Sequence, residues 1–224
     1  MTLTLVIGNK NYSSWSLRPW IAMRALDIPF DDVVISLDAA DFRSRVLKFT
    51  GTGKVPVLID GDVHIWESLA ILEYLHEKFP HAGIWPNDHA ARAYARSIAS
   101  EMHAGFTPLR RACPMNFWRP VKARDLAPEV KENVRRIDAM WSESRARFGA
   151  NGPFLLGRFC AADAMYAPVV SRIHTYAIEV SAPSRQYMEA VMALPAWQEW
   201  KQAALKETWV LPEDEPDWPV VLRV

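Results

Sequence analysis

The sequence predicts an α/β domain followed by an all-α domain, and three observations carry that prediction. Short apolar runs alternate with amphipathic stretches over the first 80 residues. A segment rich in Pro, Gly, Asn and Asp follows, and beyond it only helical periodicity recurs.

Taken in order, "TLTLVI" (2–7) predicts a strand. "SLRPWIAMRALD" (16–27) predicts a helix, with Leu17, Trp20, Ile21, Met23 and Leu26 at helical spacing and Pro19 tolerated in its first turn. "FDDVVISL" (30–37) is a second strand and "ADFRSRVLKF" (40–49) a short helix. "VPVLI" and "VHIW" are separated by Asp60-Gly61-Asp62, a strong hairpin signal. "ESLAILEYLHEKF" (67–79) is an amphipathic helix with Leu69, Leu72 and Leu75 among its apolar positions. The order is β-α-β-α-β-β-α. A strand, a helix and another strand imply a parallel pair with a crossover, and the hairpin adds an antiparallel edge. This is the layout of a thioredoxin-like domain, assigned to residues 1–80.

A linker is assigned to 81–87 within "PHAGIWPNDHAA", and an all-helical bundle domain to 88–224. Its predicted helices span 88–112, 129–148, 161–179, 185–193 and 196–206. The tail "LPEDEPDWPVVLRV" holds three prolines, so it should be irregular and pack back through Trp218.

Composition narrows the function classes. The 224 residues carry 26 Lys plus Arg and 26 Asp plus Glu, a balance that argues against nucleic acid or an anionic membrane as the main partner. Two cysteines, Cys113 and Cys160, form no CxxC pair and no zinc-ligand spacing, and they fit free, buried thiols in a reducing compartment. "MTLTLVIG" lacks a basic leader and reads as a strand, and no apolar run approaches a membrane span, so a cytoplasmic location is expected. Ten tryptophans are many for this length; most should fill core, with some left for a pocket.

Three features of the first domain lie where strand or helix ends face one side of the sheet. Ser13, Ser14, Trp15 and Ser16 lead into the first helix. A helix start offers unpaired N–H groups and positive dipole character, and a hydroxyl there can donate to a thiolate or a carboxylate. A serine before a helix is also the commonest N-cap, so this segment alone does not select a chemistry. Val55 and Pro56 open the third strand, where proline contributes no N–H to a ladder. With a cis bond, Val55 would present its own N–H and C=O to a ligand backbone as an added strand does. Glu67 and Ser68 start the third helix, a second carboxylate cradle, and Lys54 could take another carboxylate. Together they suit an extended anionic peptide.

In these segments the chain resembles the cytosolic glutathione S-transferase family over essentially its full length. "SSWSLRPWIAM" is similar to the "SSCSWRVRIAL" stretch of the zeta class and its bacterial, serine-type relatives, and "GKVPVL" and "ESLAILEYL" match two further glutathione-site segments. The resemblance implies glutathione as co-substrate, no metal, a homodimer, and detoxification of small electrophiles. It implies that Ser13 activates the glutathione thiol, with Ser14 or Tyr12 as alternatives. Val55 would pair with the cysteinyl backbone beside cis Pro56, and Glu67 and Ser68 would hold the γ-glutamyl end. The resemblance also points to a second substrate lying against the helical domain, for which Met102, His103, Phe106 and Arg110 are candidates at helical spacing. Two departures stand out. Cys160 replaces the usual Ser or Thr of a Ser/Thr-x-x-Asp capping box ending at Asp163, and Trp15 replaces the zeta-class cysteine.

Other chemistries fit less well. There is no G-x-S-x-G elbow for a serine hydrolase and no cysteine in the first helix loop for dithiol exchange. His76, His81 and His89 lack tight ligand spacing. The readings carried forward are a glutathione transferase, a glutathione-dependent cis-trans isomerase of the maleylacetoacetate type, and a non-catalytic binding protein of the same fold.

Overall fold

A computed structural model describes residues 2–215. Strand β1 (Leu3–Ile7), helix α1 (Ser14–Ala25), strand β2 (Phe30–Val34), helix α2 (Phe42–Val46), strands β3 (Val57–Asp60) and β4 (Val63–Trp66) and helix α3 (Ser68–Lys78) follow in order. The sheet runs β2-β1-β3-β4, with β1 and β2 parallel and the other pairs antiparallel. The thioredoxin-like βαβαββα arrangement is therefore present. Asp60 pairs with Val63, so Gly61 and Asp62 alone make the turn, and Gly61 supplies the positive φ of 61° that it needs.

Two expectations for this part change. Helix α1 begins at Ser14, two residues earlier than the apolar periodicity suggests, because Ser14 and Ser16 are buried rather than solvated. Pro19 consequently lies past the first turn and leaves the Trp15 carbonyl without its helical donor. The pair Val55-Pro56 precedes β3 instead of opening it, and its peptide bond is cis.

The helical part comprises α4 (His89–Ala104), α5 (Thr107–Ala112), α6 (Pro128–Phe148), α7 (Ala161–Thr175), α8 (Ala182–Met192) and α9 (Pro195–Leu205), with short 3-10 turns at Gly149–Asn151 and Pro212–Asp214. The helix expected over 88–112 is two. Gly105 leaves helical geometry and Phe106 adopts a left-handed conformation (φ 59°), which breaks the ladder and redirects α5. The expected packing of Trp218 lies outside the described residues.

Helix α7 is the central post. Fourteen of its 15 residues are buried, and it packs on α1, α4 and α8, so one continuous apolar core joins the sheet side to the bundle. Its N-terminus is held by Asp163, whose carboxylate accepts from Cys160 N–H (2.8 Å) and Leu155 N–H (3.0 Å). The backward half of the capping box thus forms even with cysteine at its first position. Burial raises the Asp163 carboxyl to about 6. Both cysteines are free and buried, and among the described residues no helix is long and apolar enough to cross a membrane.

Candidate active site

Residues 8–13 join β1 to α1, and their position is set largely by side chains from far along the chain. Glu207 accepts from the Lys10 and Asn11 N–H groups (2.6 and 2.9 Å). The Asn11 amide oxygen accepts in turn from the Phe117 and Trp118 N–H groups (2.7 and 3.1 Å). These buried bonds fasten the loop to the helical domain and fix where α1 starts.

At that start Ser13 stands as N-cap without a side-chain capping bond. Its hydroxyl lies 2.7 Å from the Ser16 hydroxyl, which also accepts the Gly8 N–H (3.1 Å). The Trp15 and Ser16 N–H groups find no acceptor among the described residues, so the positive end of α1 is open to an anion. Ser14 accepts from Arg172 Nη2 of α7 at 3.3 Å. The Tyr12 hydroxyl is turned away to Glu215, which is also bonded by Asn116 and Arg119.

Two cavities adjoin here. The larger, about 500 Å³, is bordered by Ser13 and Ser14 on one side and by Thr107, Arg110, Arg111 and Arg172 on the other. The smaller, about 240 Å³, is bordered by Pro56, Trp66, Glu67 and Ser68. Trp15, Lys54 and Val55 border both. All seven residues singled out from the sequence (Ser13, Ser14, Lys54, Val55, Pro56, Glu67, Ser68) therefore border these two adjoining cavities. Val55 has no backbone hydrogen bond among the described residues, so its N–H and C=O are free for a ligand strand.

Glu67 holds φ 70° and ψ 123°, a conformation that costs a non-glycine residue about 1–3 kcal/mol and recurs at functional sites. Its carboxylate approaches His103 Nε2 at 3.5 Å. Burial, then the Arg18 charge, pushes the His103 imidazole down, which favours its neutral form. Ser68 is fully buried; its hydroxyl accepts from Arg18 Nη1 (3.5 Å) and donates toward Met165 Sδ (3.9 Å). A buried cation thus stands behind the start of α3.

The residues proposed for the helical wall divide. Arg110 borders the larger cavity, while Met102 and Phe106 are core residues and His103 abuts Trp15 edge-on at 5.2 Å. The wall comes from α5 and α7 instead of α4 because of the break at Gly105-Phe106. Sequence reasoning missed Arg18 and Arg172. The guanidinium groups of Arg18 and Arg110 lie 4.1 and 4.4 Å from the Trp15 ring centre, which gives that tryptophan a place: it carries two cations at the junction of the cavities. Burial and the neighbouring Arg110 and Arg172 charges push Arg18 well down. Burial, then Arg110, lowers Arg172 to about 10. Among the described residues, no group of three His, Cys, Asp or Glu side chains is placed to hold a metal.

Residues 12–78 match the family model described as Glutathione S-transferase, N-terminal domain. A zeta class glutathione S-transferase of Euphorbia esula is 31% identical over 126 residues, 55% of this chain and 56% of that one. A probable maleylacetoacetate isomerase of Caenorhabditis elegans is 36% identical over 98 residues, 43% of this chain and 45% of that one. The matches span 23–56% of the length of the first curated relatives. In three dimensions, a glutathione transferase homolog from Burkholderia GL BGR1, solved with bound glutathione, is similar with a TM-score of 0.69. It is 21% identical, over 91% of this chain and 98% of that one.

Proposed function

We propose that this chain, a member of the glutathione S-transferase family, binds glutathione across the two cavities and transfers its sulfur to a small electrophile. The single observation that carries the reading is the convergence of the seven sequence-predicted residues on two adjoining cavities.

In this reading the γ-glutamyl end lies in the smaller cavity. There the Glu67 carboxylate meets its ammonium and the start of α3 meets its carboxylate. Val55 pairs with the cysteinyl backbone beside cis Pro56, and Lys54 takes the glycyl carboxylate. The thiol then reaches the start of α1. The Ser13 hydroxyl turns its proton from Ser16 Oγ to the sulfur, with Ser14 beside it, and the open N–H groups of Trp15 and Ser16 add positive potential. The thiol proton leaves to solvent. The thiolate attacks an electrophilic carbon in the larger cavity, a sulfur–carbon bond forms, and the leaving group departs with its electron pair. No metal takes part. We assign the protein to the cytoplasm as a homodimer acting in detoxification. The balanced charge and the two buried free thiols support the compartment, and light scattering tests the dimer.

Isothermal titration with glutathione tests the reading. Saturation at or below millimolar ligand is expected, and no binding there would leave a non-catalytic protein of the same fold. The second reading, a glutathione-dependent cis-trans isomerase, is favoured by the resemblance to a probable maleylacetoacetate isomerase. Incubation with maleylacetoacetate separates the two. Isomer formed without net conjugate supports the isomerase, and conjugate supports the transferase.

A further inference from the structure

The turn that delivers Ser13 to the start of α1 is held at two ends by two different parts of the chain. Residues 9–13 close on themselves, since the Asn9 carbonyl accepts from the Tyr12 and Ser13 N–H groups (3.3 and 2.8 Å). The foot of the turn belongs to the first domain. The fully buried Asn9 side chain accepts the Leu37 N–H (2.6 Å) and donates toward Ser36 Oγ (3.4 Å). The apex does not. The Lys10 and Asn11 N–H groups point to Glu207, just beyond α9, one to each carboxylate oxygen (2.6 and 2.9 Å). From α9 itself, Trp200 Nε1 donates to the Lys10 carbonyl (2.8 Å).

Glu207 is an unusual choice for a tie. Burial pushes its carboxyl up, against the Asn11 and Lys10 N–H groups and the Lys10 charge. The Lys10 ammonium is itself committed to Asp32 at 2.8 Å, and among the described residues Glu207 has no ion pair. What the carboxylate supplies is a fork. Two oxygens meet two successive N–H groups through charge-assisted bonds, which fixes the tilt of the turn as well as its position. Ser13 lies two residues past Asn11 and is tied by its own N–H to the same turn. Its hydroxyl proton already has an acceptor, Ser16 Oγ at 2.7 Å, so a small tilt decides whether it reaches a sulfur instead. Glu207 borders neither cavity and can act only through that turn.

We propose that Glu207 is a positioning residue for the thiolate chemistry: it clamps the apex of the 9–13 turn from the helical domain and so aims the Ser13 hydroxyl at the glutathione sulfur. This inference rests on the glutathione reading above. It makes the ionisation of a thiol bound to the first domain depend on a carboxylate near the other end of the chain.

The test follows the bound glutathione thiol by thiolate absorbance against pH in the full-length protein, with affinity from calorimetry and stability from a thermal melt. In the wild-type protein the bound thiol should titrate at least about one unit below its value in solution. Glu207→Ala removes both acceptors and should abolish at least about half of that shift, while glutathione affinity changes less than about threefold. Glu207→Gln keeps one acceptor and should lose a smaller part of the shift; if the alanine variant fails to fold, the glutamine variant decides. The control is Asp138→Ala, which removes a comparable tie, the carboxylate that accepts the Ser181 N–H and hydroxyl (3.2 and 2.7 Å) at the start of α8. It should lower Tm and leave the thiol where it is in wild type. A thiol within about 0.2 units of wild type in the Glu207 variants that fold would overturn the inference and leave the glutathione reading standing. An equal shift in Asp138→Ala would do the same, because general loosening would then explain it. Absence of glutathione binding by the wild-type protein would overturn both.

Discussion

The two walls of the adjoining cavities are built on opposite electrostatic plans. Around the start of α1 the first-domain wall uses neutral donors, namely serine hydroxyls, the unpaired N–H groups that start the helix and the free backbone of Val55, with the charges of Lys54 and Glu67 set farther along it. Such groups stabilise an anion through dipoles and leave no net charge behind when the site is empty. The helical-domain wall uses full charges, Arg110 and Arg172, that the protein leaves without carboxylate partners among the described residues. The difference teaches a division of labour. Dipoles suit a group whose charge appears during the reaction, while fixed cations suit one that arrives charged.

The largest blow to this comparison should come from removing the post that carries the charged wall. Asp163→Ala leaves two buried N–H groups of α7 and its flank unpaired, and should cost about 3 kcal/mol. For a chain of this size that lowers Tm by about 10 °C in a thermal melt. The same residue sets a pH signature. Its carboxyl is raised from 3.8 to about 6 in the folded state, so the fold binds more protons than the unfolded chain between those values. Its contribution to stability therefore falls as pH rises through that window, and the slope should disappear in the variant.

A smaller effect should separate the two cavities. Glu67→Gln keeps the size of the side chain and removes the charge expected to meet the γ-glutamyl ammonium. Glutathione affinity should fall about tenfold by calorimetry, while Tm stays close to the wild-type value because Glu67 is largely exposed. An unchanged affinity would detach the smaller cavity from the γ-glutamyl end.

The smallest expected change is the most telling about the charged wall. Arg172→Met replaces a buried cation, whose guanidinium is hydrogen-bonded to Ser14 alone among the described residues, with an apolar side chain of similar length. The ligand-free protein should then melt within about 1 kcal/mol of wild type, or above it. A loss of several kcal/mol would mean that Arg172 is a structural strut, answered by its surroundings, and would remove the contrast between the walls.

Much of the neutral wall was legible in the sequence, and little of the charged one. Asp60-Gly61-Asp62 announced the hairpin because its turn needs a residue with positive φ, and the hydroxyl-rich start of α1 announced itself by residue type. The break at Gly105-Phe106 was not legible, since phenylalanine does not signal a left-handed conformation and the apolar spacing runs straight through it. Arg172 was hidden for a different reason. It reaches Ser14 across 158 residues of sequence, and a single arginine in an apolar helix carries no mark of which cavity it will border. The dependence of the 8–13 loop on Glu207 was invisible for the same reason. Local rules reveal what a segment can do, and long-range packing decides what it faces.

The most direct test of the account is the ionisation of the glutathione thiol when bound, followed by thiolate absorbance against pH. Bound to the wild-type protein, the thiol should titrate at least about one unit below its value in solution, and Ser13→Ala should return it toward that value with little loss of affinity. A bound thiol that titrates as it does in free solution would contradict the claim that the start of α1 holds a thiolate.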